Sequence, residues 1–416
     1  MALVGKVLII VQNLPVPFDR RVWLEATTLR KAGYQVSVIC PTGKKGKFTK
    51  YYEQLEDIHI FRYPAPPEAA GVVGYIFEFA YCWLMTMLIS LWVAVRHGFD
   101  VVHACNPPET YFLLGLFYKL FGKQFIFDHH DLSPEMYLAK GGAQRGLLYR
   151  GLLLLERLTF KSADVVITTN HSHAEIAMQR GGVPNDRIYI VRSGPDLRRM
   201  QQLPPEEALK GGSQYLICYL GEMCEQDGVE YLLIAAKILR EELARHDVRF
   251  VFMGGGPDLE RLKRRKSELQ LDEFVTFLGR VSDHDLCRYL STADVCVDPD
   301  PLTDWSDKST MNKIMEYMAF AKPIVAFNLK ENRYSAQDAA VYVTPNDVYE
   351  MAASIAATLD NEQKRKQMGA FGYQRVQKFL SWEHSAPHLL AAYQHVFTRQ
   401  PVAVPRSRVN VDEGRF

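Results

Sequence analysis

Residues 294–327 read DVCVDPDPLTDWSDKSTMNKIMEYMAFAKPIVAF. Two short apolar runs, DVCVD at 294–298 and PIVAF at 323–327, bracket a polar loop and an apolar helical stretch. The spacing predicts a strand, a helix opening at Thr310 or Met311 and running to Ala321, and a second strand beside the first. Such a unit belongs to an open α/β sheet, where ligands bind outside the carboxyl ends of the strands. The loop between Pro299 and Lys313 is therefore where chemistry is expected.

Its residues suit an anion. The first N–H groups of a helix are unpaired and carry the positive end of the macrodipole, and Lys308 and Lys313 add full charges at the same place. The combination fits a phosphate or diphosphate. Glu316 stands four residues after Asn312 and three after Lys313, so the three share a helix face. A carboxylate behind a diphosphate site can accept hydrogen bonds from two neighbouring hydroxyls, as on a ribose. The plainer alternative is a solvated helix with Lys313 and Glu316 as a surface ion pair. Against it, Ile314, Met315, Met318 and Ala319 mark a packed helix whose polar edge is left for a ligand.

The same rhythm runs through the rest of the chain. Strands are expected at 6–11, 35–40, 58–61, 100–104, 124–128, 164–169 and 188–191, with helices at Arg20–Ala32, Tyr75–Arg96 and Leu147–Lys161. A capping box, Ser172 with Glu175, opens another helix. Further strands are expected at 215–220, 248–253, 274–278, 294–298, 323–327 and 340–343, then a helix near 349–379 and an amphipathic one at Ser385–Phe397. This gives an α/β protein of two doubly wound domains, 1–196 and 214–380, joined by a Pro- and Gly-bearing linker at 197–213. A C-terminal helix at 381–398 is expected to pack back on the first domain, and 399–416 to form a disordered tail. Loops following the strands supply further candidates: Asn13, Arg20 and Arg21, HACNPPE at 103–109, His130, Asp131 and Glu135, Gly255, and Arg280 with Val281.

The chain has 416 residues, 23% of them charged, and a net charge of +1. No basic stripe suggests a nucleic-acid partner. Seven scattered cysteines without a CxxC pair read as reduced thiols in a cytosolic protein. The N-terminus carries no secretory pattern. The uncharged stretch Phe79–Val95 is at the short end of a membrane span and would interrupt the strand pattern, so it is read as a crossover helix buried on a sheet, with interfacial membrane contact as the alternative. His103, His129, His130, His171 and His173 match no standard zinc spacing, and DPD at 298–300 ends a strand, so no metal is expected.

These signatures resemble the retaining glycosyltransferases of family 4, with the GT-B fold of two Rossmann-like domains facing each other across a cleft. FDRRVWLEATTLRKAGYQVSVI, FDHHDLSPE, SADVVITTN, FMGGGPDLERL and KIMEYMAFAKPIVAF occur in the expected order, and the resemblance covers about residues 5–398. It implies transfer of a sugar from a nucleoside-diphosphate donor to a hydroxyl of a lipid-linked or polysaccharide acceptor, with UDP expected ahead of GDP from family frequency and no cofactor. Localisation would be cytoplasmic, with peripheral contact at the inner membrane surface. Glu316 matches the family's ribose-binding glutamate, and the backbone of Ser309, Thr310, Met311 and Asn312 the segment receiving the diphosphate. Arg280 and Val281 lie where the base is held, and His130 matches the histidine near the transferred sugar, with Asp131 and Glu135 beside it. Two departures stand out. Lys308 replaces the acid eight residues before the ribose glutamate, and Glu222 and Asp227 stand where the family commonly has an Arg and a Lys for the diphosphate. Lys308 and Lys313, with Arg20 or Arg21, are expected to supply the missing charge, Lys313 as a catalytic group. A sugar-nucleotide epimerase or hydrolase, or an inactive sugar-nucleotide binding protein, are the alternatives.

Overall fold

The computed structural model of the chain describes residues 3–43, 47–66, 71–144 and 146–402. They form two compact units: Met1–Ser193 with Ser385–Arg406, and Gly194–His384. Most of the tail expected to be disordered lies outside the described residues.

Unit 1 has strands β1 (Lys6–Ile10), β2 (Gln35–Pro41), β3 (Tyr52–Leu55), β4 (Ile58–Tyr63), β5 (Val101–Cys105), β6 (Gln124–His129), β7 (Val165–Thr168) and β8 (Ile188–Ile190). Its helices are α1 (Arg20–Lys31), α2 (Gly71–Arg96), α3 (Phe112–Lys119), α4 (Ser133–Ala139), α5 (Leu147–Ser162) and α6 (His171–Gln179). The strand order is β3-β4-β2-β1-β5-β6-β7-β8, parallel except for β3. Central strands such as VVHAC are buried throughout because helices cover both faces. β3 was not expected from the sequence. Its YEQL is a half-exposed edge strand, and its turn at Glu56–Asp57 uses two non-glycine residues at positive φ.

The crossover helix α2 departs from the expectation of burial. Cys82, Thr86, Ser90 and Val93 form its inner face, with Thr86 bonded to Tyr111 and Ser90 to Tyr118. Only 22% of its apolar stretch is buried, and Leu84, Leu88, Trp92 and Val95 are exposed. It is the one helix among the described residues long and apolar enough to cross a membrane. α6 is capped by Asn170, whose Oδ1 accepts from His173 N at 2.7 Å, so Ser172 lies inside the helix and not at a capping box.

Unit 2 has β9 (Tyr215–Leu220), β10 (Val248–Met253), β11 (Val275–Gly279), β12 (Val295–Asp298), β13 (Ile324–Phe327) and β14 (Ala340–Val343), all parallel, in the order β11-β10-β9-β12-β13-β14. Its helices are α7 (Val229–Glu241), α8 (Leu259–Glu268), α9 (Asp283–Thr292), α10 (Asn312–Ala319), α11 (Lys330–Ala336), α12 (Val348–Asp360) and α13 (Glu362–Arg375); α14 (Trp382–Thr398) follows, its residues from Ser385 belonging to unit 1. The single helix expected near 349–379 is two, because Asn361 breaks it and caps α13 by accepting from Lys364 N. The expected linker is packed structure: Arg288 forks onto Glu206, Leu203 N donates to Ser291 Oγ, and Met200 joins the core. In α14, Tyr393 bonds His103 at 2.7 Å and His395 bonds Tyr189 at 3.0 Å, all within unit 1.

Candidate functional sites

In unit 2 strand order runs outward from β9 in one direction and from β12 in the other. The crevice where a doubly wound sheet binds ligands therefore opens between their carboxyl ends. The loops there approach closely. Gly228 has φ 62°, and a Cβ on it would lie 2.0 Å from Pro299 O. Gly254 has φ 143°, and a Cβ there would strike Gly221 O. Gly255 sits under the Arg280 side chain, whose head is exposed beside half-buried Val281.

α10 starts at Asn312, two residues later than the earlier edge of its expected start, and Met311 caps it without a side-chain bond. Its leading N–H groups are thus left for an anion. Asn312 is exposed and Glu316 half-buried, four residues apart along one edge. Of the loop hydroxyls, Ser309 Oγ donates to Trp305 O at 2.7 Å, and Thr310 Oγ1 meets Glu331 Oε2 at 3.5 Å. Ser309 is committed to shaping the loop, since its N–H also donates to Ser306 O at 3.2 Å. Lys308 pairs with the exposed Asp304 at 2.8 Å, a surface contact of little strength.

Lys313 corrects the sequence reading. Its side chain is 8% exposed and turned inward, with Nζ 2.7 Å from Asp300, 3.3 Å from Asp227 and 3.4 Å from Asp298. It also lies 5.1 Å from the centre of the Tyr219 ring. Burial alone would lower its pKa, but Asp227, Asp300 and the other neighbours outweigh it, and the net is well above the ordinary lysine value. Burial, and then Asp298, pushes Asp300 well above the usual carboxylate range. Lys313 thus ties the β9 loop, the end of β12 and α10 together, and it has no charge to spare for a leaving group. Asp227 is part of the same knot, accepting from Tyr219 OH at 3.2 Å and Glu222 N at 3.3 Å. Asp298 of the DPD run accepts from Asn332 at 2.7 Å.

In unit 1 the order reverses at β1 and β5, and the hub of that end is Asp128, which sequence reasoning missed. Arg21 forks onto it at 2.9 and 2.7 Å, reaches Glu25 at 3.2 Å, and donates to Val191 O and Ser193 Oγ. Its guanidinium is spent on these partners, so Arg21 does not close on a diphosphate. Arg20 and Asn13 are exposed. Burial works to raise Asp128, yet Arg21, His103 and His130 hold it well below the usual carboxylate range. Burial and the neighbouring Asp128 push Glu25 well above that range. Donor atoms of Glu25, His103, Cys105 and Asp128 lie within 4.8 Å of one another. Arg21 already pairs with both carboxylates, at 3.2 Å to Glu25 and 2.7 Å to Asp128.

His130 Nδ1 lies 3.2 Å from Asp128 Oδ2, which leaves Nε2 pointing away from that carboxylate. Burial would lower its pKa, but the bond and charge of Asp128 prevail and the net is raised. The loop is clipped by Asn106, whose Oδ1 accepts from the N–H groups of His130 and Asp131, while Asp131 Oδ1 accepts from Leu132 N. Asn106 and Glu109 are buried, and Glu109 accepts from Asn106 and Ser133. HACNPPE therefore builds the loop. Glu135 is also structural, held by Arg180 at 2.6 and 3.2 Å. His129 and His173 meet inside the unit, ring centres 5.3 Å apart and tilted by 49°. Of the unit 1 candidates, His130 and Asp131 remain together at the strand ends.

Two family models match the chain: "Glycosyl transferase 4-like domain" over residues 19–194 and "Glycosyl transferases group 1" over residues 214–361. Among curated proteins it is similar to an MMP alpha-(1->4)-mannosyltransferase of Mycolicibacterium hassiacum, with 24% identity over 279 residues. That match takes in 65% of each chain, so it spans less than two thirds of the relative. Among solved structures it is similar to a sucrose-phosphate synthase from Thermosynechococcus elongatus, with a TM-score of 0.76 at 19% identity over 95% of this chain and 100% of the other. It is also similar to Anabaena HepE in complex with UDP and glucose, with a TM-score of 0.70 at 14% identity over 94% and 99%. The two models follow one another through most of the sequence and the architecture agrees with them: the chain belongs to the family 4 glycosyltransferases and has the GT-B fold.

Proposed function

We propose that the protein moves a sugar, with retention of anomeric configuration, from a nucleoside-diphosphate donor to a hydroxyl of a lipid-linked or polysaccharide acceptor. The observation that carries this is in unit 2: an uncapped α10 opens at the switch point, with Asn312 and Glu316 along one edge. The diphosphate lies on the backbone N–H groups from Thr310 to Lys313, and Glu316 accepts from the ribose hydroxyls. Gly255, Arg280 and Val281 border the base. UDP is the expected nucleotide, in keeping with the UDP in the similarly folded HepE.

As the bond from the anomeric carbon to the diphosphate oxygen breaks, negative charge grows on the leaving group. Donors fixed in advance stabilise it most cheaply. In this chain they are the α10 amides and Lys308, whose pairing with exposed Asp304 is easily exchanged. No metal ion is needed in this scheme. His130, its pKa raised by the bond and charge of Asp128, keeps Nε2 for a hydrogen bond with a sugar or acceptor hydroxyl, with Asp131 beside it. The apolar outer face of α2 fits work beside a membrane, on its cytoplasmic side.

A thermal-shift screen against UDP, GDP and their sugars tests the donor assignment, because a nucleotide that binds the folded state raises its melting temperature. A rise with UDP or a UDP-sugar that is lost in Glu316→Gln supports the reading. Turnover of a bound donor at full rate with no acceptor present would point instead to an epimerase or hydrolase.

A further inference from the structure

The amino-terminal edge of the unit 1 sheet carries a second feature. A cavity of about 410 Å³ opens there, with Lys119, Lys123, Asp164, Arg187, His395 and Arg399 among its lining residues. Gln124 and Val165, the first residues of β6 and β7, also line it, so it lies at the opposite end of the strands from Asp128 and His130.

Its charge is one-sided. Four permanent cations line it with one carboxylate, Asp164, which is already bonded to Lys119 at 2.7 Å and to Phe125 N, and the charge of Asp186 reaches the lining residue His395. Lys123 reaches Asp100 at 3.7 Å. Arg187 and Arg399 have no carboxylate partner among the described residues. Burial lowers His395, so it adds little charge near neutrality. Four like charges around one hollow repel one another, and a bound anion would relieve that cost.

The rim is apolar. Crossover helices run back along the sheet, so α2 and α3 end at this same edge. Val95, in the last turn of α2, is 91% exposed, and Leu120 and Phe121, just after α3, are 82% and 63% exposed. Scattered exposed apolar residues are ordinary, but Leu120 and Phe121 fall in sequence between the lining residues Lys119 and Gly122. We propose that this edge is a bilayer-docking site: an anionic phospholipid headgroup lies in the cavity against Arg187 and Arg399, and Leu120, Phe121 and Val95 enter the interface. Charge complementarity selects an anionic bilayer over a neutral one. The proposal concerns adhesion and needs neither donor nor acceptor, so it stands or falls separately from the transfer reaction.

Flotation of the full-length protein with phosphatidylglycerol/phosphatidylcholine vesicles, against pure phosphatidylcholine, tests it. Binding is expected with the anionic vesicles, weakening steeply with salt. At about 1 kcal/mol per cationic side chain near the surface, Arg187→Gln/Arg399→Gln should lower the partition constant about 30-fold. Leu120→Ser/Phe121→Ser, on an exposed turn, gives an independent arm and should also lower it severalfold. No flotation, or flotation unchanged by both double substitutions, would overturn the proposal. So would an Arg187- and Arg399-dependent rise in melting temperature with inorganic phosphate in a protein that ignores vesicles, since the anion would then be a soluble one.

Discussion

Lys313→Met separates an outward catalytic cation from an inward tie. The substitution keeps the aliphatic volume and removes one ammonium from among Asp300, Asp227 and Asp298, at 2.7, 3.3 and 3.4 Å. Breaking a buried ion pair by deleting one partner costs about 3–5 kcal/mol. A folded protein has about 5–15 kcal/mol in all. For a unit of this size each kcal/mol moves the melting temperature by about 2–4 °C, so a fall of about 6–20 °C is expected in calorimetry of the full chain. Adding Asp300→Asn, which takes away the nearest carboxylate, should return a large part of the loss, because these neighbours do not act independently. The sign of the pH dependence is fixed as well. Without the ammonium the buried carboxylates bind protons more readily folded than unfolded, so stability falls as pH rises, and the defect should be smaller at pH 5 than at pH 8. A Lys313→Met protein as stable as the parent but without transfer activity would refute the inward role.

Two further outcomes follow from unit 1. His130 has a raised pKa, so its bond to Asp128 contributes stability that is full below its unfolded value of about 6.5 and lost as pH rises through the folded value. The melting temperature gap between the parent and His130→Gln should therefore be widest in mildly acidic buffer and narrow as pH rises through the folded value; a gap constant with pH would count against the pairing. Arg21→Lys should be destabilised almost as much as Arg21→Met, by about 3 kcal/mol, since one ammonium cannot serve Asp128, Glu25, Val191 O and Ser193 together. Chemical denaturation of both variants measures this, and a near-parental Arg21→Lys would contradict it.

The parallel strands were legible because runs such as YLICYL and VRFVFM are apolar through their length, the mark of a strand covered on both faces. β3 was not, because its polar alternating YEQL and its Glu-Asp turn carry no strand or turn signal. The loop before α10 was legible from helix polarity and charge alone. What misled was the direction of Lys313: its partners come from 13 to 86 residues away, and nothing local shows them converging. Arg21 was misread in the same way, since Asp128 lies 107 residues on. Asn361 and Asn170 were missed because asparagine serves equally as cap and as ordinary polar residue until the chain direction is known. Helix-face spacing pointed to Glu316 and resemblance to the role of His130, and geometry then showed which of the other groups hold the loops.

The account rests on a diphosphate at the start of α10, and the structure of the protein bound to UDP measures that directly. The phosphate oxygens should lie about 2.7–3.2 Å from backbone nitrogens between Thr310 and Lys313, with the ribose hydroxyls at similar distance from Glu316 and the Lys313 knot undisturbed. A diphosphate seated on another loop, or held by Lys313 drawn out of its three carboxylates, would contradict it.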